Sequence, residues 1–148
     1  MIQRKQTLFL LAVSIISAIL IFTPFQYLNI NDKLEAICLM PGCSPEIINS
    51  NIYAPMLLNL LSLVLSLVII FQYKKRVLQY KLSNLLALIN VFVVGLFFLL
   101  SYTKEGVTGT LSFSFGAFLP SISVILSFLA AHFIKKDEEL VRSADRIR

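Results

Sequence analysis

Four long stretches of the sequence contain no Asp, Glu, Lys or Arg, and this feature constrains the fold more than any other. The stretches cover residues 6–31, 47–73, 82–103 and 106–134 and are 26, 27, 22 and 29 residues long. A helix needs about 20 predominantly apolar residues to cross the hydrocarbon of a bilayer. Because lipid offers no hydrogen-bond partners to the backbone, each crossing segment is expected to be helical. The sequence therefore predicts an all-α, four-helix transmembrane bundle.

The predicted spans lie at about residues 7–28, 52–73, 83–102 and 114–134. Hydrophobic residues make up 57% of the chain and the mean hydropathy is +0.83. These values are too apolar for an ordinary soluble domain. A length of 148 residues suits one domain, so residues 1–148 are interpreted as a single integral membrane domain.

Basic residues are divided unevenly between the two sides that four spans create. Both ends of the chain then share one side, which carries eleven of the thirteen Lys and Arg residues, whereas the other side carries only Lys33 and Lys104. Short loops rich in Lys and Arg stay in the cytoplasm, so both termini are predicted to be cytoplasmic. Topology and attraction to the lipid bilayer account for the net charge of +5. No nucleic-acid partner is expected.

The polar residues within the predicted spans are few and uncharged. Asn59, Ser62 and Ser66 follow helical spacing in the second span, and Asn90 lies in the third. One interpretation is a polar pathway through the bundle. The other is helix packing, in which Asn and Ser side chains hydrogen-bond across helices. Packing is favoured, because ion and proton pathways usually use buried ionisable groups.

The start of the last predicted span contains two local signals. Pro120 removes a backbone donor and clashes with the preceding turn, which predicts a kink or a late helix start. Upstream, Leu111, Phe113 and Phe115 alternate with serines. This period of two predicts a short extended segment, with helix initiation as the alternative.

No catalytic arrangement can be read from the sequence. His132 is the sole histidine and lies at the predicted inner end of the last span, so an interfacial role is favoured over catalysis. The sequence contains no HExxH or GxSxG motif and no paired carboxylates within a span. We therefore predict a non-enzymatic protein with no catalytic, cofactor-binding or metal-binding residues.

The two cysteines, Cys38 and Cys43, lie in the predicted outer loop, where oxidation is possible. The intervening Pro41 and Gly42 suit a tight turn that brings the two sulfurs together. A disulfide between Cys38 and Cys43 is therefore predicted, and its small loop is worth about 2 kcal/mol by chain entropy. The alternative is a quinone-linked thiol oxidoreductase. That chemistry usually needs a CxxC motif and a second cysteine pair, which this sequence lacks.

Residues 135–148 form a tail of mixed charge, with five basic and four acidic residues. Its apolar positions recur at helical spacing and are Leu140, Val141, Ala144 and Ile147. Arg142 is placed to pair with Glu138 and Glu139 on a helix. A short cytoplasmic helix that continues the last span is predicted. Because a lipid-binding helix would carry a basic polar face, the mixed charge favours a protein partner or a merely solvated helix.

Both ends of the chain resemble a known family. The opening "MIQRKQ" and the closing "IKKDEELVRSADRIR", particularly "KDEELVRSADR", are similar to the ends of a Bacteroidota family of small four-span inner-membrane proteins. The family is catalogued as domain of unknown function 4293. The resemblance implies a multi-pass protein of the bacterial inner membrane, and it implies neither a reaction nor catalytic residues.

Three functional hypotheses follow from the sequence. The first is a non-enzymatic scaffold or accessory subunit that binds a cytoplasmic or membrane protein through residues 135–148. The second is a transporter-like protein for a small molecule or lipid, which a polar-lined cavity at mid-membrane would favour. The third is the thiol oxidoreductase.

Overall fold

The computed structural model of the chain describes residues 3–30, 33–40, 46–72, 75–104 and 110–146. Four helices dominate it, with three short strands and one 3-10 helix between them. In chain order the elements are α1 Gln3–Phe22, β1 Gln26–Ile30, β2 Lys33–Ile37, α2 Glu46–Phe71, α3 Arg76–Lys104, β3 Thr110–Phe113, the 3-10 helix Phe115–Phe118 and α4 Leu119–Arg146.

The helices form a bundle in which each packs against its neighbour in sequence and α1 packs against α4. Two apolar clusters fill the interior. The first lies where α1 ends and α2 begins, and its members from the four helices include Leu20, Ile52, Val93 and Leu119. The second lies at the opposite end and includes Leu10, Ile69, Leu86 and Ala130. Successive helices therefore run antiparallel, as short connections in an up-and-down bundle require.

Three of the helical segments are long and apolar enough to cross a membrane: Ile52–Phe71, Val77–Leu100 and Phe115–Ser143. The apolar part of α1 that the structure describes is shorter and covers Gln6–Phe22. The helices α2 and α3 start before the predicted spans, at Glu46 and Arg76. Helices continue past the hydrocarbon wherever water can solvate their polar residues, so span limits underestimate helix length.

A three-stranded antiparallel sheet closes the end of the bundle where α1 ends. The strand order is β2-β1-β3, with Gln26 opposite Ile37 on one side and opposite Phe113 on the other. Phe25 extends the pairing, because its amide donates to the Ile37 carbonyl over 3.0 Å and its own carbonyl accepts from the Ser114 amide over 3.1 Å. The chain is mostly helical as predicted, but it is not purely α.

The first predicted span is wrong at its carboxyl end. Residues 26–28 were expected in a helix and instead belong to β1. The physical cause is Pro24, which lacks an amide donor and disfavours helical geometry at Thr23. The helix α1 accordingly ends at Phe22, and the chain turns into the sheet.

The region before α4 agrees with both local signals in the sequence. The predicted extended segment is confirmed as β3, and the predicted late start is confirmed because α4 begins at Leu119. Pro120 therefore occupies the first turn, where its missing amide proton costs nothing. The 3-10 helix Phe115–Phe118 connects the strand to α4.

Gly116 in this 3-10 helix allows a close backbone contact with the segment after α1. A Cβ atom on Gly116 would clash with the Pro24 carbonyl oxygen and lie 3.2 Å from the Phe25 Cα. Both obstructing atoms belong to the backbone, so they cannot rotate away. The absence of a side chain at Gly116 thus sets how tightly the sheet and α4 join.

We predict that Gly116→Ala lowers the free energy of unfolding by about 1–3 kcal/mol, the usual cost of overpacking. Gly95→Ala is the matched control, because a Cβ atom there meets nothing within 4 Å. That control should be neutral or stabilising by up to about 1 kcal/mol, since Ala is the better helix former. Thermal melts of both variants in detergent, followed by circular dichroism, test the prediction. Equal melting temperatures for the two variants would contradict it.

Candidate functional site

The bundle carries its small polar side chains inside and its large apolar side chains outside. In α2, Asn59 and Ser62 are buried, whereas Leu57 and Leu61 are exposed. The helix α1 repeats this arrangement, with Ser17 buried and an exposed apolar stripe formed by Leu8, Leu11, Ile15, Ile19 and Phe22. A soluble protein rarely exposes apolar patches of such extent. This distribution belongs to a protein surrounded by lipid.

A layer of hydrogen-bonded polar side chains, here called the polar layer, lies between the two apolar clusters. Asn90 of α3 is its centre: the Ser62 hydroxyl donates to Asn90 Oδ1 over 2.9 Å, and Asn90 Nδ2 donates to Ser127 Oγ over 3.1 Å. Asn59 Nδ2 donates to the Ser17 carbonyl over 2.9 Å. These bonds connect α1 with α2 and connect α2, α3 and α4 with one another.

The hydrogen bonds of the polar layer are of the kind that helix packing uses. Its asparagine donors are directed at protein acceptors, and the Ser127 hydroxyl in turn donates to the Ser123 carbonyl over 2.7 Å. Ser66, one turn further along α2, donates to the Leu63 carbonyl within its own helix. The asparagine bonds hold helices together, whereas the Ser66 and Ser127 hydroxyls donate within their own helices.

Two glutamines tie the helices at the end opposite the sheet. Gln6 Nε2 donates to the Phe133 carbonyl over 3.0 Å, and Gln79 Nε2 donates to the Ile69 carbonyl over 3.2 Å. The Phe9 and Phe133 rings stack beside the first bond at 5.5 Å. Sequence reasoning missed both glutamines. The signal that could have found them is a side-chain amide at the edge of an apolar stretch, where a neighbouring helix can bury it.

An apolar cavity of about 240 Å³, here called the aromatic pocket, lies between α3, α4 and the sheet. Five phenylalanines dominate its lining: Phe25, Phe97, Phe98, Phe113 and Phe118. Phe25 and Phe97 are buried and stacked, with ring centroids 4.4 Å apart. The pocket was not anticipated from the sequence, because its rings come from four separate elements.

His132 and Cys38, the described residues considered for chemistry, lie in different parts of the fold. His132 is exposed on α4, with its ring edge-on to Phe133 at 5.9 Å. Among the described residues, no group of three His, Cys, Asp or Glu side chains could hold a metal ion. The Cys38 sulfur is in a disulfide, and Cys38 is buried. Cys43 lies outside the described residues, so the pairing of Cys38 with Cys43 stays a prediction.

The tail continues α4 without a break as far as Arg146, as the sequence predicted. Leu140 and Val141 are 49% and 41% exposed, so this part of the apolar stripe is uncovered. One ion pair in this region joins Lys135 to Glu139 at 3.9 Å. Among the described side chains, Arg142 forms no ion pair with Glu138 or Glu139, so the expected pairing is not observed. The Ala144 side chain and Ile147 lie outside the described part of the chain.

Helices with an apolar exterior and a hydrogen-bonded polar interior define a helical membrane protein. The chain belongs to the family described as domain of unknown function, DUF4293, whose family model matches residues 2–147. The resemblance noted at the two ends is thereby confirmed over almost the whole chain. No curated protein and no solved structure matches it.

We predict that Asn90→Ala lowers the free energy of unfolding in detergent by about 1–3 kcal/mol, since it removes two interhelical hydrogen bonds. Asn84→Ala is the matched control on the same helix, because Asn84 is half-buried and has no hydrogen bond among the described residues. Its effect should stay within about 0.5 kcal/mol. Thermal melts of the two variants provide the comparison. Similar losses of stability in the two variants would contradict a stabilising role for the polar layer.

Proposed function

We propose that the chain is a non-enzymatic, four-span protein of the bacterial inner membrane that serves as a scaffold or accessory subunit and binds a protein partner through its tail. The observation that supports the membrane placement concerns the two faces of α1 and its neighbours. The helix α1 has the same polar interior and apolar exterior as the three longer apolar helices, and it packs between α2 and α4. A helix so placed shares the surroundings of its neighbours.

The length of α1 supports a crossing. Its apolar part, Gln6–Phe22, extends over about 25 Å at 1.5 Å per residue, which is at the short end of what a crossing requires. Its neighbours contact it along this length. Gln6 reaches Phe133 near one end, and Asn59 reaches the Ser17 carbonyl towards the other.

The placement of charge supports an orientation with both termini in the cytoplasm. Lys33 begins β2 and Lys104 ends α3, so the two isolated basic residues belong to the sheet end. Lys75, Lys81 and Lys135 lie exposed at the opposite end. The end rich in Lys and Arg stays inside, which assigns the sheet to the outer surface of the membrane.

The exposed stripe on the tail supports a protein partner. Leu140 and Val141 lie beyond Lys135, where α4 leaves the hydrocarbon in this placement, so lipid does not cover them. The neighbouring charges are of both signs, which disfavours binding flat on an anionic membrane. A complementary protein surface would bury the two side chains, and burial of apolar area is the main source of affinity in such contacts.

We predict that the sheet end is reached from outside the cell and the tail is not. In a background with Cys38→Ser and Cys43→Ser, single cysteines are introduced by Ser112→Cys on β3 and Ser143→Cys on the tail, both at exposed positions. A membrane-impermeant maleimide should label the first in intact spheroplasts and the second only after lysis. Lys75→Cys should behave like the tail. Labelling of Ser143→Cys before lysis would contradict the orientation.

We predict that Leu140→Asp reduces recovery of the partner at least tenfold when the tagged chain is purified from its native host after crosslinking. The matched control is Ser143→Asp, which adds the same charge to an exposed position of the same helix. It should recover the partner like the unmodified chain, and both variants should melt at the same temperature in detergent. Identical sets of recovered proteins for the two variants would show that the tail is only solvated.

A further inference from the structure

The aromatic pocket has a closed floor and an open mouth. Phe25 and Phe97 form the buried floor, whereas Phe98, Phe113 and Phe118 are exposed at the rim. The rim residues belong to α3, β3 and the 3-10 helix, so the mouth opens on the side of the bundle near its sheet end. The aromatic pocket is therefore reached from the side of the bundle, through the medium that surrounds the helices.

The lining selects strongly against charged groups. All nine lining residues are uncharged, and Val94 and Ala117 complete the apolar wall beside the phenylalanines. Gln26 and Ser121 are its polar members. A cavity of about 150 Å³ lined by apolar side chains stays dry and accepts benzene, so the larger volume here suits a longer stretch of hydrocarbon.

We propose that the aromatic pocket binds one acyl chain of a phospholipid from the membrane leaflet at the sheet end. This inference rests on the membrane placement proposed above. In that placement the mouth is continuous with the apolar surface that lipid covers, because Phe98 and Phe118 belong to both. Lipid acyl chains then surround these residues. An acyl chain that enters the aromatic pocket contacts aromatic rings on several sides.

The geometry also indicates how the lipid is held. The acyl chain lies against the stacked Phe25 and Phe97 rings, and the charged headgroup stays outside an uncharged lining. Dispersion contacts with the rings provide the attraction. Because no charged side chain lines the pocket, occupancy should depend on the acyl chain and not on the headgroup.

The test uses the full chain in nanodiscs of phosphatidylethanolamine that contain a small fraction of the same lipid with a diazirine in one acyl chain. After irradiation, crosslinked residues are mapped by mass spectrometry. Leu57 is the reference position, since it is 63% exposed and Phe98 is 62% exposed. Both adjoin the same apolar cluster, which contains Phe97 and Met56. Crosslinks at Phe98 and Phe118 should exceed those at Leu57 at least fivefold.

Filling the pocket should abolish the enrichment. Val94→Phe adds a ring to the lining, and Val91→Phe adds the same ring to an exposed position one turn earlier on α3. The first should reduce crosslinking at Phe98 to the level at Leu57, and the second should leave it unchanged. A phosphatidylglycerol probe should give the same pattern as phosphatidylethanolamine.

The possible failures are distinguishable. Equal crosslinking at Phe98 and Leu57 in the unmodified chain would overturn the pocket proposal and leave the membrane placement standing. An absence of crosslinks at both positions would overturn the pocket proposal together with the membrane placement. Enrichment that persists in a well-folded Val94→Phe variant would also contradict the proposal, because the added ring occupies the space of the acyl chain.

Discussion

Hydrocarbon offers no hydrogen-bond partners, and the arrangement of this chain follows from that constraint. Helices satisfy their own backbone groups, and the polar side chains they carry need hydrogen-bond partners within the protein. Asn90 does so twice, with Ser62 and Ser127, and Asn59 does so with the Ser17 carbonyl. These directional bonds fix how the helices are rotated, and the same rotation turns the large apolar side chains outward.

The sheet lies at an end of the bundle, where this constraint is relaxed. Edge strands leave backbone groups unpaired, which is tolerable at the end of the bundle but not along its sides. Pro24 ends α1 and sends the chain into β1, and the Phe25 segment is paired with the chain on both sides. Gly116 lets the 3-10 helix approach this segment closely. The aromatic pocket is a consequence, because the joined elements bring Phe97 and Phe113 to one cavity.

Local patterns in the sequence predicted the features that depend on local chemistry. Uncharged stretches indicated the helices, Pro120 indicated a kink or a late start of α4, and the helical spacing of apolar residues such as Leu140 and Val141 indicated the helical tail. The sheet was not predicted, because residues 26–28 are as free of charge as the helix before them. Its pairing joins Gln26 to Phe113, which no local pattern records. The aromatic pocket depends on that same distant pairing, so it too was invisible in the sequence.

We propose that lipid surrounds α1 as it surrounds the three longer apolar helices. Spin labels at Ile15 and Leu61, which are 48% and 49% exposed, measure this directly in nanodiscs. A label at Ser143 serves as the water-exposed reference. We predict that the labels at Ile15 and Leu61 collide readily with oxygen and rarely with a water-soluble nickel chelate. A label at Ile15 that collides with the chelate as often as the one at Ser143 would contradict it.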